Sequence, residues 1–144
     1  GNSRIAKFSE DGRYIMDWGS KGSAPGQFNT PHTLALDSRQ RLFVGDRGNK
    51  RIQIFDEEGD FLEEWTHLGI PYGIDISRDD WLYVADGVTN QVIIANARDG
   101  QVMEIIEGCH QVHWVSVDPW GDVYVASNRD QSLKKFVNKA RKND

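Results

Sequence analysis

Apolar residues along this chain fall two apart far more consistently than three or four apart. In PHTLALD at 31–37 and RLFVGD at 41–46, Leu34 and Leu36, then Leu42 and Val44, alternate with other residues, the period of a strand with one packed face. No stretch carries a convincing helical period. Turn signals separate the runs. Asp118, Pro119, Trp120 and Gly121 read as a turn between strands, and Glu58–Gly59 and Asp99–Gly100 are acidic-glycine pairs suited to the positive φ angles of hairpins. The pattern predicts an all-β chain.

The runs repeat about every 40 residues. PHTLALD at 31–37, PYGIDIS at 71–77 and VHWVSVD at 112–118 each precede a second run, RLFVGD, WLYVAD and DVYVAS. Third runs follow at Ile52–Phe55, Val92–Ala95 and Leu133–Phe136, and fourth runs at Phe61–Trp65 and Val102–Ile106. Each full unit therefore reads as four antiparallel strands, and a repeat of this length built from short strands implies the blades of a β-propeller. The N-terminus joins in mid-unit: GNSRIAKF at 1–8 matches GNKRIQIF at 48–55, and Gly12, Tyr14 and Trp18 match Gly59, Phe61 and Trp65. The expected organisation is one propeller segment over 1–138, with a partial unit at 1–30, repeats at 31–70, 71–111 and 112–138, and a basic tail at 139–144.

Composition narrows the function classes. With 144 residues, 38% of them hydrophobic, and a formal net charge of −5, the chain is one soluble domain's worth of material. No apolar run approaches the ~18 residues of a membrane span, so no membrane role is expected. The acidic balance argues against nucleic acid, whose binding needs clustered Lys and Arg. A single cysteine, Cys109, excludes an internal disulfide. A chain that starts inside a repeat leaves its compartment open.

Three units pose a packing problem, because a propeller closes with roughly four to eight blades. Left open, the array exposes an apolar flank at each end. Either the segment belongs to a longer propeller, or two copies form a six-bladed ring about a two-fold axis. Strand counting suits a homodimer: the last unit lacks its fourth strand and Tyr14–Trp18 is a spare one that could swap into the partner's last blade. Arg4–Phe8, which duplicates 133–136, would then be displaced.

The succession of Pro, apolar strand residues and Asp, then LFVGD and RGNKRIQIF, resembles NHL repeats over the whole chain. Residues 1–55 are more particular. NSRIAKFSEDGRYIMDWG, PGQFNTPHTLALD and GDRGNKRIQIF are similar to the lyase domain of peptidylglycine α-amidating enzymes. That resemblance implies an NHL-type β-propeller of six four-stranded blades, about three of them in this chain, with zinc held on three histidines in the central channel. It further implies cleavage of a peptidyl-α-hydroxyglycine to a peptide amide and glyoxylate. By the same resemblance His32 and His113 match zinc ligands, and Arg47 matches an arginine near the substrate, where its fork of donors suits a carboxylate. Tyr72 holds the equivalent place between the two histidines and is expected to line the channel without matching a family ligand. The family's third zinc histidine lies in a blade upstream of this stretch, and its catalytic tyrosine lies just before NSRI. A single chain is therefore expected to be inactive.

Plainer roles stand beside these. His32 and His113 could be channel-entrance residues bonded to backbone or water, and Arg47 a loop cation beside Asp46. Asp46 and Asp86 recur where a strand ends, as carboxylates that accept backbone N–H groups. Trp18 and Trp65 are expected to pack blades together, His67 and His110 to lie on the surface or in loops, and Lys50 and Arg51 to be solvated. The competing function is an NHL module that binds a protein or peptide without metal.

Overall fold

Alternating sequence becomes strand wherever the pattern placed it. A computed structural model describes residues 2–139, so the basic tail at 139–144 lies outside the described residues except for Lys139. A hairpin of β1 (Ile5–Phe8) and β2 (Tyr14–Trp18) leads into a loop that carries a short parallel pair, β3 (Ser20–Lys21) and β4 (Gln27–Phe28). Two four-stranded antiparallel sheets follow in meander order: β5 (Pro31–Leu36), β6 (Leu42–Asp46), β7 (Arg51–Phe55), β8 (Phe61–Trp65), then β9 (Pro71–Ile76), β10 (Trp81–Asp86), β11 (Gln91–Asn96), β12 (Val102–Ile106). The third sheet has β13 (Val112–Val117), β14 (Val123–Ser127) and β15 (Leu133–Phe136). Pairing is antiparallel between consecutive strands of each sheet, so these are three blades of a β-propeller with a hairpin at one side. The helical turn Arg47–Asn49 had no signal in the apolar periodicity.

The core lies between blades. Phe43, Ile54 and Trp65 of the first blade meet Ile74, Val84 and Ile93 of the second, and Tyr83 and Ile106 of the second meet Val115, Val123 and Val125 of the third. Because side chains alternate across a strand, each blade buries one set of residues forward and the other backward. Hydrogen bonds sew the same interfaces. The Ser38 hydroxyl donates to Asp80 at 2.7 Å, the Ser116 hydroxyl donates to Asp75 at 2.9 Å, and the Ile74 amide donates to the Thr33 hydroxyl oxygen at 3.1 Å.

The tryptophans do pack blades. Gly59 sits in a hairpin turn at φ 85°, and a Cβ there would lie 2.9 Å from the Trp18 ring. Gly100, in the next blade's hairpin, repeats the device against Trp65 at 3.0 Å.

Arg51 departs from expectation. It is not solvated but 5% exposed, beneath the loop that joins the hairpin to the first blade. Its guanidinium donates to Asp46 at 3.0 Å, to Glu64 at 2.6 Å, and to the carbonyls of Ser23, Ala24 and Gln27. Asp46 also accepts from the Asn29 amide and the Asn49 side chain, and Gln53 bonds both Gly26 and Gln27. A loop with few apolar residues is held down by satisfying its carbonyls, and a planar five-donor group does this best. Lys50 next to it is exposed, as expected.

Candidate functional site

The second residue of each inner strand is His32, Tyr72 or His113. In each blade the pairing skips that residue: Pro31 pairs with Asp46 and Thr33 with Gly45, Pro71 with Asp86 and Gly73 with Ala85, Val112 with Ser127 and Trp114 with Ala126. Three β-bulges at one structural position free these side chains from the alternation and aim them at a common point. The period-two pattern carries no mark of a bulge.

The three rings meet there. His32 and His113 approach edge to face with centroids 5.2 Å apart, Tyr72 lies 5.4 Å from His113 and 6.1 Å from His32, and all three are half-buried. Arg47 arrives from the turn after β6, with its guanidinium carbon 4.9 Å from the centre of the Tyr72 ring, a cation–π contact. The positions that follow β10 and β14 are Gly87 and Asn128. A Cβ on Gly87 would meet the Tyr72 ring at 2.6 Å, so glycine leaves room for the phenol. The Asn128 amide nitrogen is 3.4 Å from His113 Nδ1. Gly87 and Asn128 escaped the sequence reading, although aligning DR, DG and SN at the strand ends marks both.

Protonation follows from the partners. His32 Nδ1 lies 2.6 Å from the Tyr72 carbonyl oxygen, which can only accept, so Nδ1 carries a hydrogen and Nε2 is the nitrogen turned away from the backbone. An imidazole oriented in this way by a backbone carbonyl has the second-sphere support typical of a metal ligand. Burial, helped by the nearby His32 and Arg47, pushes the His113 pKa below its usual 6.5, which favours the neutral ring. Imidazole suits zinc, which takes nitrogen ligands and, in catalytic centres, three protein ligands with an open position. Among the described residues no group of three His, Cys, Asp or Glu side chains could hold a metal. His32 and His113 are the two imidazoles the hub would offer to a metal.

His67 and His110 are exposed and take no part. The Asp46 and Asp86 carboxylates accept backbone N–H groups, Asp46 from Asn29 and Asp86 from Val88 and Thr89.

Comparison with known proteins bears on the repeat and the fold. The NHL repeat family matches residues 28–55. NHL repeat-containing protein 3 of Homo sapiens is 33% identical over 94% of this chain and 43% of its own length. Peptidyl-glycine alpha-amidating monooxygenase B of Xenopus laevis is 30% identical over 94% of this chain and 18% of its own length. The chain spans less than half the length of either relative. Among solved structures, the WD40 repeats of RRP9 superpose with a TM-score of 0.72 at 22% identity, covering 95% of this chain and 46% of that one, which bears on fold alone. The chain is thus a β-propeller segment that carries an NHL repeat at residues 28–55 and is similar to NHL repeat-containing protein 3 and, distantly, to the peptidylglycine α-amidating enzymes.

Proposed function

We propose that this segment supplies part of the hub of a zinc-dependent lyase that cleaves a peptidyl-α-hydroxyglycine into a peptide amide and glyoxylate. The observation that carries this reading is the convergence of His32, His113, Tyr72 and Arg47 from three bulged blades onto one point. A hub built only for packing has no need of two half-buried imidazoles beside an arginine.

His32 and His113 would hold the metal, which supplies Lewis acidity toward the hydroxyl of the substrate. Arg47 would bind the carboxylate of the hydroxyglycine through two parallel N–H donors. Tyr72 keeps Arg47 in place by stacking, and its carbonyl sets the His32 tautomer. In the reaction the carbinol C–N bond breaks, the hydroxyl loses its proton as the glyoxylate carbonyl forms, and the departing amide nitrogen takes up a proton. With two of three imidazoles, an isolated chain is expected to turn over no substrate.

Zinc content after dialysis, measured by plasma mass spectrometry, tests the reading. Zinc retained by the native chain and lost in both His32→Ala and His113→Ala is the expected result. A native chain with no zinc, or equal zinc in native and variant chains, would overturn it.

A further inference from the structure

We infer that a cavity between the second and third blades receives an arginine side chain from a basic peptide of another protein, in the pose that Arg41 of this chain holds one interface earlier. The warrant is the repeat itself. Between the first and second blades, the Arg41 guanidinium carbon lies 5.3 Å from the centre of the Phe43 ring. The group donates to Asp37 at 2.8 Å and to the Ala97 carbonyl at 2.6 Å, and pairs with Glu63 at 3.5 Å. Strand pairing fixes the counterparts one blade on: Tyr83 for Phe43, Ser77 for Asp37, Glu104 for Glu63 and Asn138 for Ala97. Arg41 itself has Trp81 as its counterpart, which packs on the core of the third blade and carries no charge.

The surroundings of the arginine are thus repeated and the arginine is not. All four counterparts line a cavity of about 450 Å³, within the ~300–1,000 Å³ range of ligand sites. Tyr83, which borders this cavity, is only 6% exposed, and among the described residues its hydroxyl has no hydrogen-bond partner. Buried polar groups are normally paired, so a lone one at a cavity wall marks a place for a ligand. Glu104, exposed at the rim, likewise forms no ion pair among the described residues, whereas Glu63 has Arg41.

Charge and ring chemistry select the ligand. Burial, with the Glu104, Asp75 and Asp79 carboxylates nearby, pushes the Tyr83 phenol above its usual 10, and those three acids set a negative field around the ring. Arg78 is the one cationic residue of the lining, against Asp79, Glu104 and Asp118, the last of which accepts the Trp120 and Asp122 amides within its own turn. Trp120, 62% exposed on that turn, adds a second aromatic surface at the cavity. Aromatic faces attract cations. A planar guanidinium stacks on a ring while its edges still donate to carboxylates and carbonyls, which a lysine ammonium cannot do. The cavity lies by the turn that joins β9 to β10, at the opposite end of β9 from Tyr72, so the site is separate from the hub and stands without the lyase reading.

NMR of the full chain titrated with the peptide acetyl-Gly-Arg-Gly-amide tests the inference. The indole N–H signals of Trp81 and Trp120 are expected to shift and saturate, while those of Trp18 and Trp65, which pack against other hairpins, stay fixed. Glu104→Gln is expected to weaken binding about threefold, the scale of one exposed ion pair, with the Trp18 and Trp65 signals reporting an intact fold. The same peptide with citrulline in place of arginine is expected to leave Trp81 and Trp120 unmoved. No shift at the solubility limit of the arginine peptide, or an unchanged midpoint in Glu104→Gln, would overturn the site. Equal binding of the citrulline or lysine peptide would overturn its assignment to arginine. Shifts that appear only after residues 140–144 are removed would give the place to the basic tail of this chain and overturn the partner.

Discussion

Removing the guanidinium of Arg51 would leave the Asp46 carboxylate, 0% exposed, without its counter-charge and take a donor from each of three loop carbonyls. Breaking a buried pair from one side costs about 3–5 kcal/mol. Arg51→Ala is therefore expected to lower the urea midpoint by that order, and Arg51→Lys to recover only part of it, since an ammonium cannot span all five acceptors. An equal midpoint for Arg51→Ala and native chain would refute the anchoring role. DR, N and RIQ, with the PGQF loop, were the most particular part of the resemblance to the amidating lyases. The structure shows that Asp46, Asn49, Arg51 and Gln53 of that motif pin a loop, while Arg47 alone turns to the hub. A motif in one dimension does not separate the two, because neighbouring residues on a strand end point in opposite directions.

Blades are joined by small devices that recur from unit to unit. The tryptophan of one outer strand lies on the hairpin glycine of the next blade, at Trp18 with Gly59 and at Trp65 with Gly100. Both glycines have left-handed φ, 85° and 72°, so a side chain there meets backbone strain and a ring together. Gly12 has a similar φ of 82° with nothing within 4 Å of a Cβ. Left-handed strain costs about 1–2 kcal/mol per residue. Gly12→Ala should show that loss alone, and Gly59→Ala a larger one, because the Trp18 ring must also shift. Thermal unfolding of the two variants side by side decides it; equal losses would mean that the ring contact contributes nothing. The acidic-glycine pairs were legible as turns from their dipeptides. Their role beneath a tryptophan was not, since it joins residues 41 and 35 positions apart.

At the scale of the molecule, the hub couples the first and third blades electrostatically. His113 is shifted below 6.5 by its burial, by His32 and by Arg47, and the last two belong to the first blade. With a folded pKa below the unfolded one, the unfolded chain binds more protons in between. The stability this group contributes is therefore fully present above pH 6.5 and is lost as pH falls from there through the folded value. Proton NMR should find the His113 midpoint below 6.5, and His32→Ala should move it upward by removing one of the causes of the shift. A midpoint at or above 6.5 in the native chain would contradict the assembled hub.

What the sequence determined by itself is the local order: which residues are strands, where they turn, and that the unit repeats. These follow from period-two alternation and turn chemistry, which act between residues close along the chain. His32, Tyr72 and His113 could also be placed at one repeat position from sequence. Only the tertiary structure decided that three bulges aim them at each other, that Arg47 stacks on Tyr72, and that Arg51 is buried. Those outcomes depend on contacts some 20 to 80 residues apart, where the energy comes from filling space between blades and satisfying buried polar groups, and no nearest-neighbour pattern encodes it.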